Sequence, residues 1–210
     1  MKKQGSLVVV SGFAGTGKGT VMKELLKRYD SYALSISATT RNPRPGEVDG
    51  REYFFKTKEE FEQMIEEGAF VEYACYVGNY YGTPKQYVEE QLAAGKDVIL
   101  EIEIQGALNI KKQFPEALLL FIAPPSADVL KQRLTDRGTE TQEVIEQRLA
   151  RAVEESRGIE NYDYLVVNDV LDECVEMVHH MIQCEGWKMS RRQAAVEELR
   201  EQISKFSKGE

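Results

Sequence analysis

The sequence predicts an α/β fold: a parallel sheet flanked by helices, with a small mixed α+β segment inserted towards the N-terminal side and a helical hairpin towards the C-terminal side. Three observations carry that expectation. An apolar run, Leu7–Val10, breaks into the glycine-rich segment Gly12-Phe13-Ala14-Gly15-Thr16-Gly17-Lys18-Gly19-Thr20 and then opens a helix, and strand, helix, strand is how a parallel sheet begins. Further apolar strands recur downstream, at 97–103, 117–123 and 164–169. Between them, an aromatic-rich stretch up to Pro84 carries hairpin and loop signals instead.

Composition narrows the classes. A chain of 210 residues is long enough for one well-buried domain with smaller insertions. Its net charge of −8 argues against non-specific binding to nucleic acid or an anionic membrane. Cys75, Cys174 and Cys184 are odd in number and far apart, which suggests neither a disulfide framework nor a zinc site and suits a reducing, cytoplasmic setting. The basic Met1-Lys2-Lys3 is followed by too short an apolar run for a signal peptide, and no stretch is long enough to span a bilayer.

The glycine segment reads as a phosphate cradle. Gly12, Gly15, Gly17 and Gly19 free the backbone to aim its N–H groups at an oxyanion, and the helix beginning near Lys18 points its positive end at the same place. Lys18 adds a charge able to follow the β- and γ-phosphates, so Gly12-x-x-x-x-Gly17-Lys18 matches the nucleotide P-loop. The motif has Ser or Thr after the lysine for Mg²⁺; here Gly19 stands there and Thr20 comes next. Thr20 is nominated as the loop's metal residue, through water, with substrate phosphates and an acidic residue elsewhere completing the site.

The helix is expected to run to Tyr29 with Val21, Leu25 and Leu26 inward. A strand over 33–36 then gives way to Ser37-Ala38-Thr39-Thr40-Arg41-Asn42-Pro43-Arg44-Pro45-Gly46, a loop in which Arg41 and Arg44 either grip a phosphate monoester or form a solvated basic face. Glu52–Phe55 reads as a strand, and Thr57-Lys58-Glu59-Glu60 as a capping box ahead of a helix carrying Phe61, Met64 and Ile65. Residues 70–77 and 79–84 form a hairpin turning at Gly78-Asn79, and Thr83-Pro84 starts a helix to about Ala94 with Thr83 as its N-cap. The strand 97–103 ends in Glu101 and Glu103, where an acid meets Mg²⁺, an arginine or a substrate, or simply closes a salt bridge. Ser126 caps a helix through Leu134. Arg133 with Arg137, and Arg148 with Arg151, are spaced to share helix faces on either side of Gly138-Thr139-Glu140-Thr141. Two readings fit them: a closing lid, or a solvated face paired with Glu140, Glu143 and Glu146. After the strand at 164–169 comes a helix from Leu171 to about Cys184, and beyond Trp187 a polar surface helix anchored by Leu199 and Ile203.

Taken together these pieces resemble the guanylate kinase family over essentially the whole chain up to Cys184. Ser37-x-Thr39-Thr40-Arg41-x-Pro43-Arg44-x-Gly46-Glu47 is similar to the family's signature loop, which implies that Ser37, Arg41 and Arg44 hold the GMP phosphate, with Tyr53 and Tyr81 reaching it too. Glu72 and Thr83 match the guanine readers, Glu101 and Glu103 the acidic pair at the strand end, although aspartate is commoner at the second position. The resemblance further implies that Arg133, Arg137 and Arg148 contact the transferring phosphates and Asn168 the adenine of ATP. Phe13-Ala14 stands where Pro-Ser is usual.

This resemblance implies a P-loop nucleoside monophosphate kinase fold and the reversible, Mg²⁺-dependent transfer of the ATP γ-phosphate to GMP or dGMP in purine nucleotide metabolism. It divides the chain into core (1–37, 85–125 and 158–187), an inserted GMP-binding domain (38–84), a lid (126–157) and a charged helical tail (188–210). A carboxylate such as Glu72 accepts from guanine N1–H and the 2-amino group together, whereas adenine offers an acceptor and no 2-amino group. The rivals are a catalytically silent binding module of the same fold and a kinase for another nucleoside monophosphate. Lys18, Arg41, Arg44, Arg137 and Arg148 argue against the first, Glu72 with Thr83 against the second. A homodimer is the base-rate expectation for such a chain.

Overall fold

The computed structural model describes residues 5–76, 78–136 and 141–208. Its central strand is β1 (Leu7–Gly12), followed by helix α1 (Lys18–Arg28) and strand β2 (Tyr32–Leu34). Later in the chain come β7 (Asp97–Glu101), β8 (Leu118–Ala123) and β9 (Tyr164–Val167), and the five strands form one sheet in the order β2-β7-β1-β8-β9. Every pairing in it is parallel. A strand buried on both faces has no polar side to show, which is why β1 opens on the continuous apolar run Leu7–Val10. Val8 and Val10 pack on one face with Val21 and Leu25 of α1 and with Val175 and Val178 of α7 (Leu171–Glu185). On the other face, Leu7 and Val9 meet Val88 of α3 (Lys85–Ala93) and Ala107 and Ile110 of α4 (Ile104–Gln113).

A second sheet is built from residues between the β2 end and α3. Its strands β3 (Ala38–Thr39), β4 (Phe54–Phe55), β5 (Phe70–Tyr76) and β6 (Asn79–Pro84) lie in the order β4-β3-β6-β5, with β5 and β6 an antiparallel hairpin. Helix α2 (Lys58–Glu66) covers it through Phe61, which stacks on Phe70 and Tyr80. Both halves of the expected capping box are made: Thr57 Oγ1 accepts from Glu60 N–H, and Glu60 Oε2 accepts from Thr57 N–H. Helices α5 (Ala127–Asp136) and α6 (Gln142–Ser156) form the expected hairpin around their own apolar cluster of Leu130, Leu134, Ile145 and Ala152. The turn at Gly138-Thr139-Glu140 lies outside the described residues.

Several expectations are corrected. Helix α4 is not among the elements predicted from sequence, and the strand before it stops at Glu101, leaving Glu103 as the helix N-cap residue. Thr83 is not an N-cap: Pro84 takes that position, and the Thr83 hydroxyl is committed to Glu72. The strands at 33–36 and 52–55 shrink to 32–34 and 54–55. Leu199 and Ile203 of α8 (Gln193–Ser204) are both 55% exposed, so neither is buried among the described residues as an anchor would be.

Candidate active site

The loop between β1 and α1 supplies the first half of the site. Gly15 and Gly17 take the left-handed conformation, φ 92° and 84°, in which side-chained residues are strained. At Gly17 a Cβ would also stand 2.6 Å from Asn168 Nδ2. Asn168 is 6% exposed and its amide donates to the Thr16 carbonyl at 2.7 Å, so the residue that the resemblance assigns to adenine also holds the loop from the end of β9. Lys18 Nζ donates to the Gly12 carbonyl at 3.2 Å and lies 4.0 Å from Glu101 Oε1 at the end of β7. Ser11 Oγ donates to Ile102 O at 2.8 Å, tying the two strand ends together. Thr20 is exposed on the first turn of α1.

Phe13 and Ala14, the loop's departures from the family pattern, pack against the cluster inside the α5–α6 hairpin. Phe13 meets Phe121 of β8 edge-on at 5.0 Å. The sequence places both residues in the loop expected to bind ATP; the structure also makes them the seam between phosphate loop and hairpin. Arg133 on α5 reaches the same loop, its Nη1 donating to Thr16 O at 3.4 Å. Arg148 lies half-buried on α6. Arg137 lies outside the described residues. Arg151 on α6 pairs with Glu155 at 2.6 Å and with Glu103 at 3.9 Å, which links the hairpin to the N-cap residue of α4.

The second sheet supplies the other half. Arg41, just after β3, is held by both oxygens of Glu47 at 3.0 Å and lies over the rings of Tyr53 and Phe55. Tyr53 and Tyr81 meet edge-on at 6.1 Å. Burial pushes the Tyr53 phenol up, with Tyr81 adding to the shift. Glu47 also accepts from Arg44 N–H at 2.7 Å, and this hydrogen bond is the main cause that lowers its carboxyl pKa. Arg44 is exposed and Ser37 half-buried, and Ser37 O accepts from Phe54 N–H at 2.9 Å. A guanidinium pre-oriented by a carboxylate and aromatic rings suits an anion that accepts through two oxygens, as a phosphate does.

Glu72 on β5 is 7% exposed, and Thr83 Oγ1 on the paired strand β6 donates to its Oε1 at 2.9 Å. Burial raises the Glu72 pKa above the usual carboxylate range, and the Thr83 hydrogen bond opposes that only in part. Its second oxygen faces Gly106 of α4, where a Cβ would lie 2.9 Å away. Gly106 is not among the residues singled out from sequence, and the available signal was a glycine within the periodic run Ile104, Ala107, Leu108, Ile110.

A glycine cradle with its lysine at the carboxyl end of a parallel sheet, an arginine-bearing helical hairpin packed on it, and a second sheet with its own cation and buried acid define a P-loop nucleotide kinase. The comparisons refine that class. The family model described as guanylate kinase matches residues 4–185. The guanylate kinase of Oceanobacillus iheyensis is 52% identical over 191 residues, 91% of this chain and 93% of that one. The guanylate kinase of Caldanaerobacter subterraneus subsp. tengcongensis is 48% identical over 202 residues, 96% of this chain and 98% of its own. Among solved structures, the guanylate kinase from Anaplasma phagocytophilum superposes with a TM-score of 0.76 at 31% identity, covering 91% of both chains. The chain belongs to the guanylate kinase family, and it is a nucleotide-binding phosphotransferase.

Proposed function

We propose that this enzyme moves the γ-phosphate of ATP to GMP, and to dGMP, with the division of labour that its two halves suggest. The observation that carries the reading is the buried Glu72–Thr83 pair. An ionised Glu72 accepts from guanine N1–H and the 2-amino group at once, and Thr83 holds the carboxylate in place. Adenine would set a ring-nitrogen acceptor against a buried carboxylate, and an unpaired buried partner costs about 1–3 kcal/mol, more for a charge.

Residues 38–84 act as the GMP-binding domain. Arg41 and Arg44, with Ser37, Tyr53 and Tyr81, receive the GMP phosphate, and Glu47 keeps Arg41 aimed until it arrives. The P-loop from Gly12 to Thr20 receives the ATP phosphates, with Asn168 serving the adenine end and bracing the loop. An oxygen of the GMP phosphate attacks the γ-phosphorus as the bond to the ADP oxygen breaks, and Lys18, Arg133, Arg137 and Arg148 neutralise the charge that spreads over the transferring group. Residues 126–157 act as the lid that excludes water during the transfer.

Mg²⁺ fits the donor set at the loop. Among the described residues no group of three or more His, Cys, Asp or Glu is placed to hold an ion alone. Thr20 and the carboxylate of Glu101 would therefore act through water, leaving the phosphates as the main ligands. Bound there, the ion would offset charge on the β- and γ-phosphates. Glu103 completes the acidic group beside the substrate. The small-molecule substrates and a net charge of −8 leave no part for nucleic acid. Free Cys75, Cys174 and Cys184 suit the cytoplasm.

Glu72→Gln tests the assignment. The expected result is a KM for GMP raised at least about tenfold, with kcat changed little, because uniform binding is lost and no interaction peculiar to the transition state is removed. An unchanged preference for GMP over AMP would show that the base is read elsewhere.

A further inference from the structure

Helix α4 carries a glycine that its own backbone does not require. Gly106 lacks the positive φ shown by the loop glycines, so an alanine would suit the helix better, by about 0.5–1 kcal/mol. The space its missing side chain leaves is taken by Glu72. A Cβ built on Gly106 would stand 2.9 Å from Glu72 Oε2, 3.4 Å from its Cδ and 3.3 Å from Ile102 Cδ1. Real Cβ contacts do not reach the first of these distances, so one partner would have to move.

The packing decides which. The next residue, Ala107, and Ile110 one turn on are fully buried in the core beneath β1 and β7, and α4 has no room to withdraw. Glu72 is the flexible partner, held through one hydroxyl hydrogen bond on its other oxygen. A methyl group at 106 would leave the fold standing and displace the carboxylate. We propose that Gly106 is a positioning residue for base selection: it seats the carboxylate of Glu72 between the Thr83 hydroxyl and bare helix backbone, in the one place from which both oxygens meet guanine. The inference rests on the reading of Glu72 as the guanine acceptor.

The experiment is steady-state kinetics of the full chain with GMP and with IMP, which lacks the 2-amino group, for wild type, Gly106→Ala, Glu72→Ala and the double variant. Gly106→Ala is expected to raise the KM for GMP about tenfold, equivalent to about 1.4 kcal/mol, to narrow the GMP/IMP preference, and to change kcat less than about twofold. Its melting temperature should stay at or above that of wild type. In the Glu72→Ala background the same substitution should add nothing, because the carboxylate it displaces is gone. An unchanged KM and GMP/IMP ratio in Gly106→Ala would overturn the inference, as would a KM increase that persists in the double variant. If Gly106→Ala alone does not fold, recovery of the fold on removing Glu72 supports the contact and continued failure refutes it. Wild type that turns over another acceptor and not GMP would fail the reading of Glu72 itself, a result visible without any variant.

Discussion

Glu72 shows at one residue how a binding site is built against stability. Its carboxyl pKa is raised by burial, so the folded chain holds the proton more tightly than the unfolded chain does. A group shifted in that direction contributes stability that is fully present in acid and is lost as pH rises through its folded pKa. The neutral isostere Glu72→Gln should therefore melt higher than wild type at pH 7, and the gap should close on acidification to about pH 4–5. In the proposed role Glu72 meets guanine in its ionised form, so the wild-type KM for GMP should rise as pH falls towards that raised pKa while the KM of Glu72→Gln stays flat over the same range. Thermal melts and KM against pH check both halves; equal melting at pH 7 would remove the burial argument. Gly19 is the opposite case, a glycine in ordinary helical conformation. A Cβ there would lie 3.7 Å from Glu101 Oε1, an ordinary contact. Gly19→Ser should raise stability by roughly 0.5 kcal/mol, lower the Mg²⁺ concentration needed for half-maximal rate, and keep most of kcat. A collapse of activity would mean that the loop's geometry requires glycine.

At the level of elements, local signals were legible where they were self-contained. The capping box of α2 is an example, since its two hydrogen bonds lie within four residues. Thr57→Ala should cost about 1 kcal/mol, lowering the melting temperature by about 2–4 °C with the kinetics of ATP unchanged, and a melting curve identical to wild type would count against it. The P-loop, the hairpin of β5 and β6 and the pairing of α5 with α6 were readable for the same reason. Helix α4 was not, because Gly106 interrupts its pattern for the sake of a residue 34 positions earlier. The sequence suggests Thr83 both as a cap, from its neighbour Pro84, and as a guanine reader by resemblance; Pro84 takes the cap, and the Thr83 hydroxyl donates to Glu72 across the strand pair. The roles of Phe13 and of Asn168 as braces of the loop are likewise tertiary, made by β8, β9 and the α5–α6 hairpin. The apolar tail residues Leu199 and Ile203 looked like anchors by composition alone, and nothing among the described residues buries them.

For the molecule as a whole, the proposed reading divides the chemistry between the two sheets, and α4 packs against a strand of each. One end of that helix comes after β7, whose Glu101 faces Lys18; its third residue touches Glu72 in the second sheet. The phosphate loop and the acid proposed to read the base are thus referred to one helix, as transfer between two bound nucleotides demands. The most direct test of this account is ADP release from Mg-ATP by the purified chain, with GMP, dGMP, AMP, UMP and dTMP offered separately. Turnover with GMP and dGMP alone is the predicted result. Turnover with AMP or a pyrimidine nucleotide would leave the P-loop standing and contradict the base-reading role of Glu72 and Thr83, and GMP binding without any turnover would contradict the transfer itself.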